Sequence, residues 1–145
     1  MQSFELSLGA VVPVTTSDDN KRRVHEAFRP WEEGDSGPFF DLIAEDIRWT
    51  VIGSTPVSGI YESKPALVEA AFGPLLERID GTLSTRFVDL AAEGDKVFLR
   101  FESSAVTKTG LPYHQAYCFA MVMREQRIVE IVAYLDTELL VRVFS

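Results

Sequence analysis

Side chains able to do chemistry are few in this chain, and most of them gather in one stretch. In the run YHQAYCFAMV, Gln115, Tyr117, Phe119 and Met121 follow one another at a spacing of two, so an extended backbone puts an amide and a phenol on one face with two apolar side chains. Two readings stay open for this pair: hydrogen-bonding groups aimed at a ligand, or an amide and a phenol satisfied by backbone. Buried polar groups need partners in either case. His114 takes the opposite face, and His25 sits beside the apolar positions of an N-terminal helical stretch. An imidazole is a natural proton carrier near neutral pH, although one standing alone is more often structural or exposed. Tyr117 and His25 are therefore the candidate catalytic groups. Trp49 is a candidate ligand platform or core residue. Asp136 precedes Thr137-Glu138-Leu139-Leu140, a position where aspartate reads as a helix N-cap before it reads as a catalytic carboxylate. The single cysteine, Cys118, lies in an apolar strand and reads as a small buried hydrophobe rather than a reactive thiol. There is no Walker loop, dinucleotide fingerprint, nucleophile elbow or zinc-ligand cluster, so neither a metal nor a nucleotide cofactor is expected.

The elements that must position these groups follow from periodicity. Residues 113–136 form two long apolar runs around the charged tip Arg124, Glu125, Gln126, Arg127, which predicts an antiparallel hairpin of 113–124 with 127–136. Both arms are too apolar to face water on two sides, and the amphipathic segments 18–33 and 64–80 are the candidates to cover them. Ser17, Asp18 and Asp19 offer N-cap oxygens for the first helix, whose stripe is Val24, Ala27, Phe28 and Trp31. Pro30 should kink or shorten it. A short helix is expected over Phe39 to Ala44, then a strand from Asp46 with Ile47, Trp49 and Val51 on one face, then turns over 53–60. Leu67, Ala71, Leu75 and Ile79 make the buried stripe of the next helix, interrupted at Gly73-Pro74. Period-two strands are expected over 84–92 and 96–107, and residues 137–143 suit a short terminal helix or an extension of the sheet. Residues 1–16 read as an N-terminal arm or edge strand, and 17–145 as a single domain. The order of elements is α+β, with helices segregated to one face of a curved antiparallel sheet.

With 145 residues, 46% of them hydrophobic, the chain suits one core. Its 22 acidic residues against 14 basic ones give a net charge of −8, which argues against nucleic acid or an anionic membrane as partner, since both require cationic surface. The basic cluster Lys21, Arg22, Arg23 reads as a solvated helix face. No apolar run approaches the ~20 residues of a membrane span, and the N-terminus lacks the pattern of a secretion signal. A cytoplasmic protein is the expectation.

The segments DIRWTVIGSTPVSGIYESKPALVE, YHQAYCFAMV and RIVEIVAYLDTELL, in that order and spacing, resemble the SnoaL-like branch of the nuclear transport factor 2-like superfamily, over about residues 19–144. The resemblance implies a cone-shaped, cystatin-like domain of about three helices wrapped by a bent sheet, an apolar pocket at its wide end, and dimerisation through the outer sheet face. It also allows the acid and base positions to be compared. Where ketosteroid isomerases carry a general-base aspartate, a helix tyrosine and a protonated aspartate, this chain has Val51, Ala27 and Phe119. Where limonene epoxide hydrolases carry an arginine, an aspartate and a second aspartate, it has Phe101, Ser103 and Ala133. SnoaL-type cyclases place their acid/base aspartate at the last of these as well. The expectation is therefore a pocket walled by Trp49, Val51, Phe101, Tyr117, Phe119 and Ala133, with Gln115 orienting a small apolar or aromatic molecule. The alternative is a cofactor-independent cyclase, isomerase, dehydratase or hydrolase that uses Tyr117 or a histidine. Phe98, Val106, Val122 and Ile128 are expected to point away from the helices and form the homodimer contact.

Overall fold

The computed structural model describes residues 16–145; the N-terminal arm or edge strand expected over 1–16 lies, but for Thr16, outside them. Helix α1 (Thr16–Phe28) buries Asn20, Val24 and Phe28 along one side. It begins a turn earlier than its acidic residues suggested. Ser17 lies within it, and its hydroxyl accepts from the Gly94 amide (2.7 Å), while Asn20 Nδ2 donates to the Gly94 carbonyl (3.2 Å). The helix start is thus tied to a strand turn rather than capped by Ser17. Asp19 accepts from Arg22 and Arg23 on the outer side, as befits a solvated face. The helix tightens at Pro30 into a 3-10 turn, Arg29–Glu33, closed by Gly34 at a φ of 96°, because proline withholds the amide that would continue the ladder. Helix α2 (Gly37–Leu42) starts and ends before the expected 39–44, and β1 (Ile43–Val51) follows directly. A short strand, β2 (Gly59–Tyr61), occupies part of the stretch expected as turns.

The segment 64–78 is helical throughout but not uniform. Ser63 caps α3 (Lys64–Leu67) through its side chain, a π-helical stretch runs over Val68–Phe72, and α4 (Gly73–Arg78) completes it. The widened turn falls just ahead of Gly73-Pro74, where the predicted interruption lies. The Gly73 amide reaches back to the Val68 carbonyl, and a Cβ on Gly73 would stand 2.6 Å from that oxygen. Only glycine admits this approach.

Strands β3 (Ile79–Glu93), β4 (Lys96–Thr107), β5 (Pro112–Arg124) and β6 (Arg127–Leu135) follow, and α5 (Thr137–Val143) ends the chain. The six-stranded sheet has the order β2-β1-β6-β5-β4-β3. Every junction is antiparallel except that of β1 with β6, which run parallel. The α+β fold with its curved sheet is as expected, and this one parallel junction departs from the antiparallel pairing expected throughout. The β3–β4 register shifts between Asp80 and Ser84 and between Phe87 and Asp89, each leaving extra residues in β3, and such bulges bend and twist a strand locally.

The predicted hairpin forms, with Arg124 opposite Arg127 and Tyr117 opposite Leu135. Its register shifts at Val122/Met123, where Val129 is the extra residue of β6. One inserted residue inverts the facing of what lies beyond it. Ile128 is consequently fully buried beside Ile131 and Ala133 rather than on the outer face. Phe98 and Val106 do lie outside, 42% and 51% exposed, together with Tyr134, and Val122 is half-buried. Cys118, expected to be buried, is half-buried among the outward-facing positions of β5.

Candidate functional site

The concave side of the sheet and the helices enclose a cavity of about 80 Å³. Inward positions of β1 (Trp49, Val51), β4 (Phe101, Ser103), β5 (Tyr113, Tyr117, Phe119) and β6 (Ala133, Leu135) form its floor. Leu67, Ala71, Phe72 and Leu75 from the 64–78 segment, with Trp31, Phe40 and Leu140, cover it. Strand alternation puts the first group on one face, and the 3.6-residue period brings Leu67, Ala71 and Leu75 over them.

All the walls expected from sequence except Gln115 meet here. Phe101 stacks on Tyr117 at 4.6 Å, and Phe119 meets Phe101 and Trp49 edge-on at 4.9 and 5.1 Å. Val51, Phe101, Ser103, Phe119 and Ala133, the positions compared above with those of the isomerases, hydrolases and cyclases, face the cavity. Among the described residues, no carboxylate or imidazole lines the cavity. Ala27, compared above with a helix tyrosine, lies instead beside a separate surface cleft next to α2.

Gln115 is fully buried but belongs to the framework. Its Oε1 accepts from the amides of Asp136 (2.7 Å) and Ala116 (3.1 Å), and its Nε2 donates to the Asp136 carbonyl (3.0 Å). These bonds clamp β5 to the start of α5, so Gln115 braces the strand end and is not a cavity wall. Asp136 is the N-cap of α5, its Oδ1 accepting from the Leu139 amide at 3.2 Å. His25 is exposed and stacks on Phe87 at 4.7 Å, outside the cavity. Val24 and Phe28 take the inward positions of α1, which leaves the residue beside them facing out. His114 is exposed on the outer sheet face, 3.9 Å from Glu102.

Sequence reasoning missed Tyr113 and Ser103 as polar groups of the site. Tyr113 is fully buried, and its hydroxyl lies 2.8 Å from that of Tyr117. The signal was the spacing of four between the two tyrosines, which in a strand returns the side chain to the same face. Ser103, opposite Gln115 in the β4–β5 ladder, lines the cavity with the two tyrosines. Next to it in the β3–β4 ladder, Thr85 is buried with no hydrogen-bond partner for its Oγ1. Burial pushes the Tyr117 phenol well above its usual range, and Tyr113 pushes it further, against an opposing contribution from Ser103. Burial also raises Tyr113, while its bonds with Tyr117 and Gln115 act the other way. Tyr117 is therefore a neutral phenol at physiological pH: a hydrogen-bond donor, not a base. In chemical terms the site is an aromatic and aliphatic chamber with one polar corner made of Ser103, Tyr113 and Tyr117.

With that geometry in hand, comparison with protein families matches residues 24–131 to the SnoaL-like domain. The chain belongs to this family. Solved structures share the SnoaL-like fold under 25% identity. An NTF2-like protein from Burkholderia thailandensis is 23% identical, with a TM-score of 0.74 over 87% of this chain and 97% of its own. A putative isomerase from Rhodopseudomonas palustris is 17% identical (TM-score 0.62, 86% and 95%). TerC, co-crystallised with polyporic acid, is 13% identical (TM-score 0.70, 86% and 98%). No curated protein matches the chain. Among the described residues of this SnoaL-like domain, no helix is long and apolar enough to cross a membrane.

Proposed function

We propose that this SnoaL-like domain encloses a small apolar or aromatic molecule in the chamber between its sheet and its helices, and that binding rather than proton transfer is its primary task. The observation that carries this reading is the lining: aromatic and aliphatic side chains on every wall, with hydroxyls as the polar groups. Such a site gains affinity by burying apolar surface, at ~25 cal/mol per Å². At about 80 Å³ the chamber is far below the roughly 300–1,000 Å³ of drug-sized pockets. A single ring or a short branched chain fits it, and a fused polycycle requires the 64–78 segment to move. The ligand named for TerC, and the isomerase description of the R. palustris protein, accord with a fold that receives small molecules.

The enzyme alternative rests on Tyr117, whose phenol lines the chamber and meets that of Tyr113. Held neutral by burial, it would act as a donor or acid without a partner base in the lining. Under that reading Tyr117→Phe lowers turnover by at least ~100-fold; under the binding reading it changes ligand affinity or orientation alone. The same proposal pairs two copies through the outer sheet face, where Phe98, Val106 and Tyr134 are exposed, in an acidic cytoplasmic protein that binds neither nucleic acid nor membrane. Calorimetric titration with ethylbenzene tests the binding reading. Saturable binding that Ala133→Leu weakens by filling the chamber supports it, and absence of binding, or binding indifferent to Ala133→Leu, refutes it.

A further inference from the structure

Among the described residues, Thr85 Oγ1 is the one buried side-chain polar atom that the protein leaves without a hydrogen-bond partner. The residue is 5% exposed, so bulk water does not serve it. Leaving a buried hydroxyl unpaired costs stability. Valine has the same branched shape without the hydroxyl and suits a strand equally well, so packing alone gives no reason for threonine. Few buried polar groups stand in this condition, and one that does calls for a partner from outside the chain.

The place of Thr85 in the sheet says where that partner sits. Leu83 precedes it by two residues on β3, and Ser103 is its partner in the β3–β4 ladder; both of these line the chamber. Thr85 therefore stands at the β3 margin of the chamber, one side chain behind its wall. Ser103 is also buried. Paired residues hold their Cβ atoms ~4.5–5.5 Å apart, and an oxygen lodged against both side chains completes hydrogen bonds of ~2.8 Å to each. Gln115, on the other side of Ser103, does not compete for Thr85, since its amide is bonded to the backbone of Asp136 and Ala116. A serine hydroxyl donates one bond and accepts two, so a contact between Ser103 and a neighbouring tyrosine still leaves it capacity. The same versatility in Thr85 admits an alcohol or a carbonyl oxygen alike. No lysine, arginine or histidine stands among the lining residues, so a carboxylate or phosphate seated there would be buried without a counter-charge.

Building on the binding reading above, we propose that Thr85 and Ser103 form a polar subsite at the β3 margin of the chamber that receives one uncharged oxygen of the ligand, so that the ligand is a small aromatic alcohol, phenol or carbonyl compound rather than a hydrocarbon or an acid. Phe101, two residues from Ser103 on the same face of β4, and Phe119 beside it (4.9 Å) meet the apolar body. Thr85 is then a specificity-determining residue: its hydroxyl weakens the empty protein and is satisfied when ligand binds. A site that hydrogen-bonds one atom discriminates against an analogue lacking it, because the group is then left unpaired.

The test titrates benzyl alcohol and ethylbenzene, two probes of one shape that differ by a hydroxyl for a methyl, calorimetrically into the full chain, beside urea unfolding without either probe. Thr85→Val should raise the urea midpoint of the free protein, leave ethylbenzene affinity nearly unchanged and lower benzyl alcohol affinity about tenfold. Thr85→Ser, which keeps the hydroxyl, should hold the wild-type ratio of the two affinities. A Thr85→Val midpoint below that of the wild type means that the hydroxyl is already satisfied in the empty protein, and overturns the proposal; so does a ratio of affinities that Thr85→Val does not change. Ethylbenzene binding in either case leaves the apolar-enclosure reading standing. Binding of neither probe to the wild type overturns both.

Discussion

Replacing Gln115 by leucine separates a framework role from a ligand-contacting one. The side chain is fully buried, with two backbone amides bonded to its oxygen and one backbone carbonyl to its nitrogen. Leucine matches its volume but leaves the Asp136 and Ala116 amides and the Asp136 carbonyl without these partners. Each orphaned buried group costs ~1–3 kcal/mol. Water entering from the exposed Asp136 side would relieve some of this, so the net loss should be about 3–5 kcal/mol, a large share of the ~5–15 kcal/mol of an ordinary domain. Urea unfolding followed by tryptophan fluorescence should show a lower midpoint with an unchanged slope. Ethylbenzene affinity, measured below the unfolding transition, should change by less than threefold. A variant of wild-type stability that had lost ethylbenzene binding would refute the reasoning, since Gln115 would then be contacting ligand rather than bracing the end of β5.

Other consequences follow from the same geometry. Gly73→Ala forces a methyl group to within 2.6 Å of the Val68 carbonyl oxygen; it should cost at least ~2 kcal/mol by chemical denaturation, whereas alanine favours an ordinary helix interior. Tyr117 and Tyr113 ionise less readily folded than unfolded, so the unfolded state releases protons first as pH rises. Stability should be undiminished by these groups below about pH 10 and fall above it, by up to ~1.4 kcal/mol per pH unit for each tyrosine; denaturation at pH 9 to 11 should show this slope, reduced in Tyr117→Phe. If the outer face pairs two copies, sedimentation at micromolar concentration gives twice the 16.2 kDa chain mass, and Phe98→Glu shifts it to monomer; a wild-type monomer removes that proposal.

The hairpin was legible because its arms are long, densely β-branched and joined by a short charged tip, and period two alone assigns Tyr117, Phe119 and Met121 to one face. Leu67, Ala71 and Leu75 were legible for the corresponding helical reason and are buried, whereas Ile79, also buried, opens β3 instead of ending the helical stripe. What escaped depends on relations that periodicity does not carry. The parallel contact of β1 with β6 joins strands far apart in the chain, and alternation holds no information about a partner's direction. Val129 is an extra residue in its ladder, and a bulge leaves no signature in a run of apolar residues, so Ile128 was assigned to the wrong face. His25 stands one helical position from the buried Val24, and that step is enough to turn a side chain from cavity to solvent. Gln115 illustrates a different limit: an amide on an inward strand face looks the same in sequence whether it meets a ligand or the backbone of Asp136. The Tyr113–Tyr117 contact was available from spacing, but only the curvature of the sheet brings the two hydroxyls together.

The central claim is that the chamber takes up a small apolar molecule without needing a charged group. Its most direct test is a methyl-region carbon–proton NMR titration with benzene, which offers no polar atom at all. Saturable shifts should be confined to methyl groups that line the chamber, those of Val51, Val57, Leu67, Ala71, Leu75, Leu83, Ala133, Leu135 and Leu140. If those methyl groups stay unmoved at saturating benzene, or the shifts fall on Val106, Val122 and Val132 of the outer face instead, the account is contradicted.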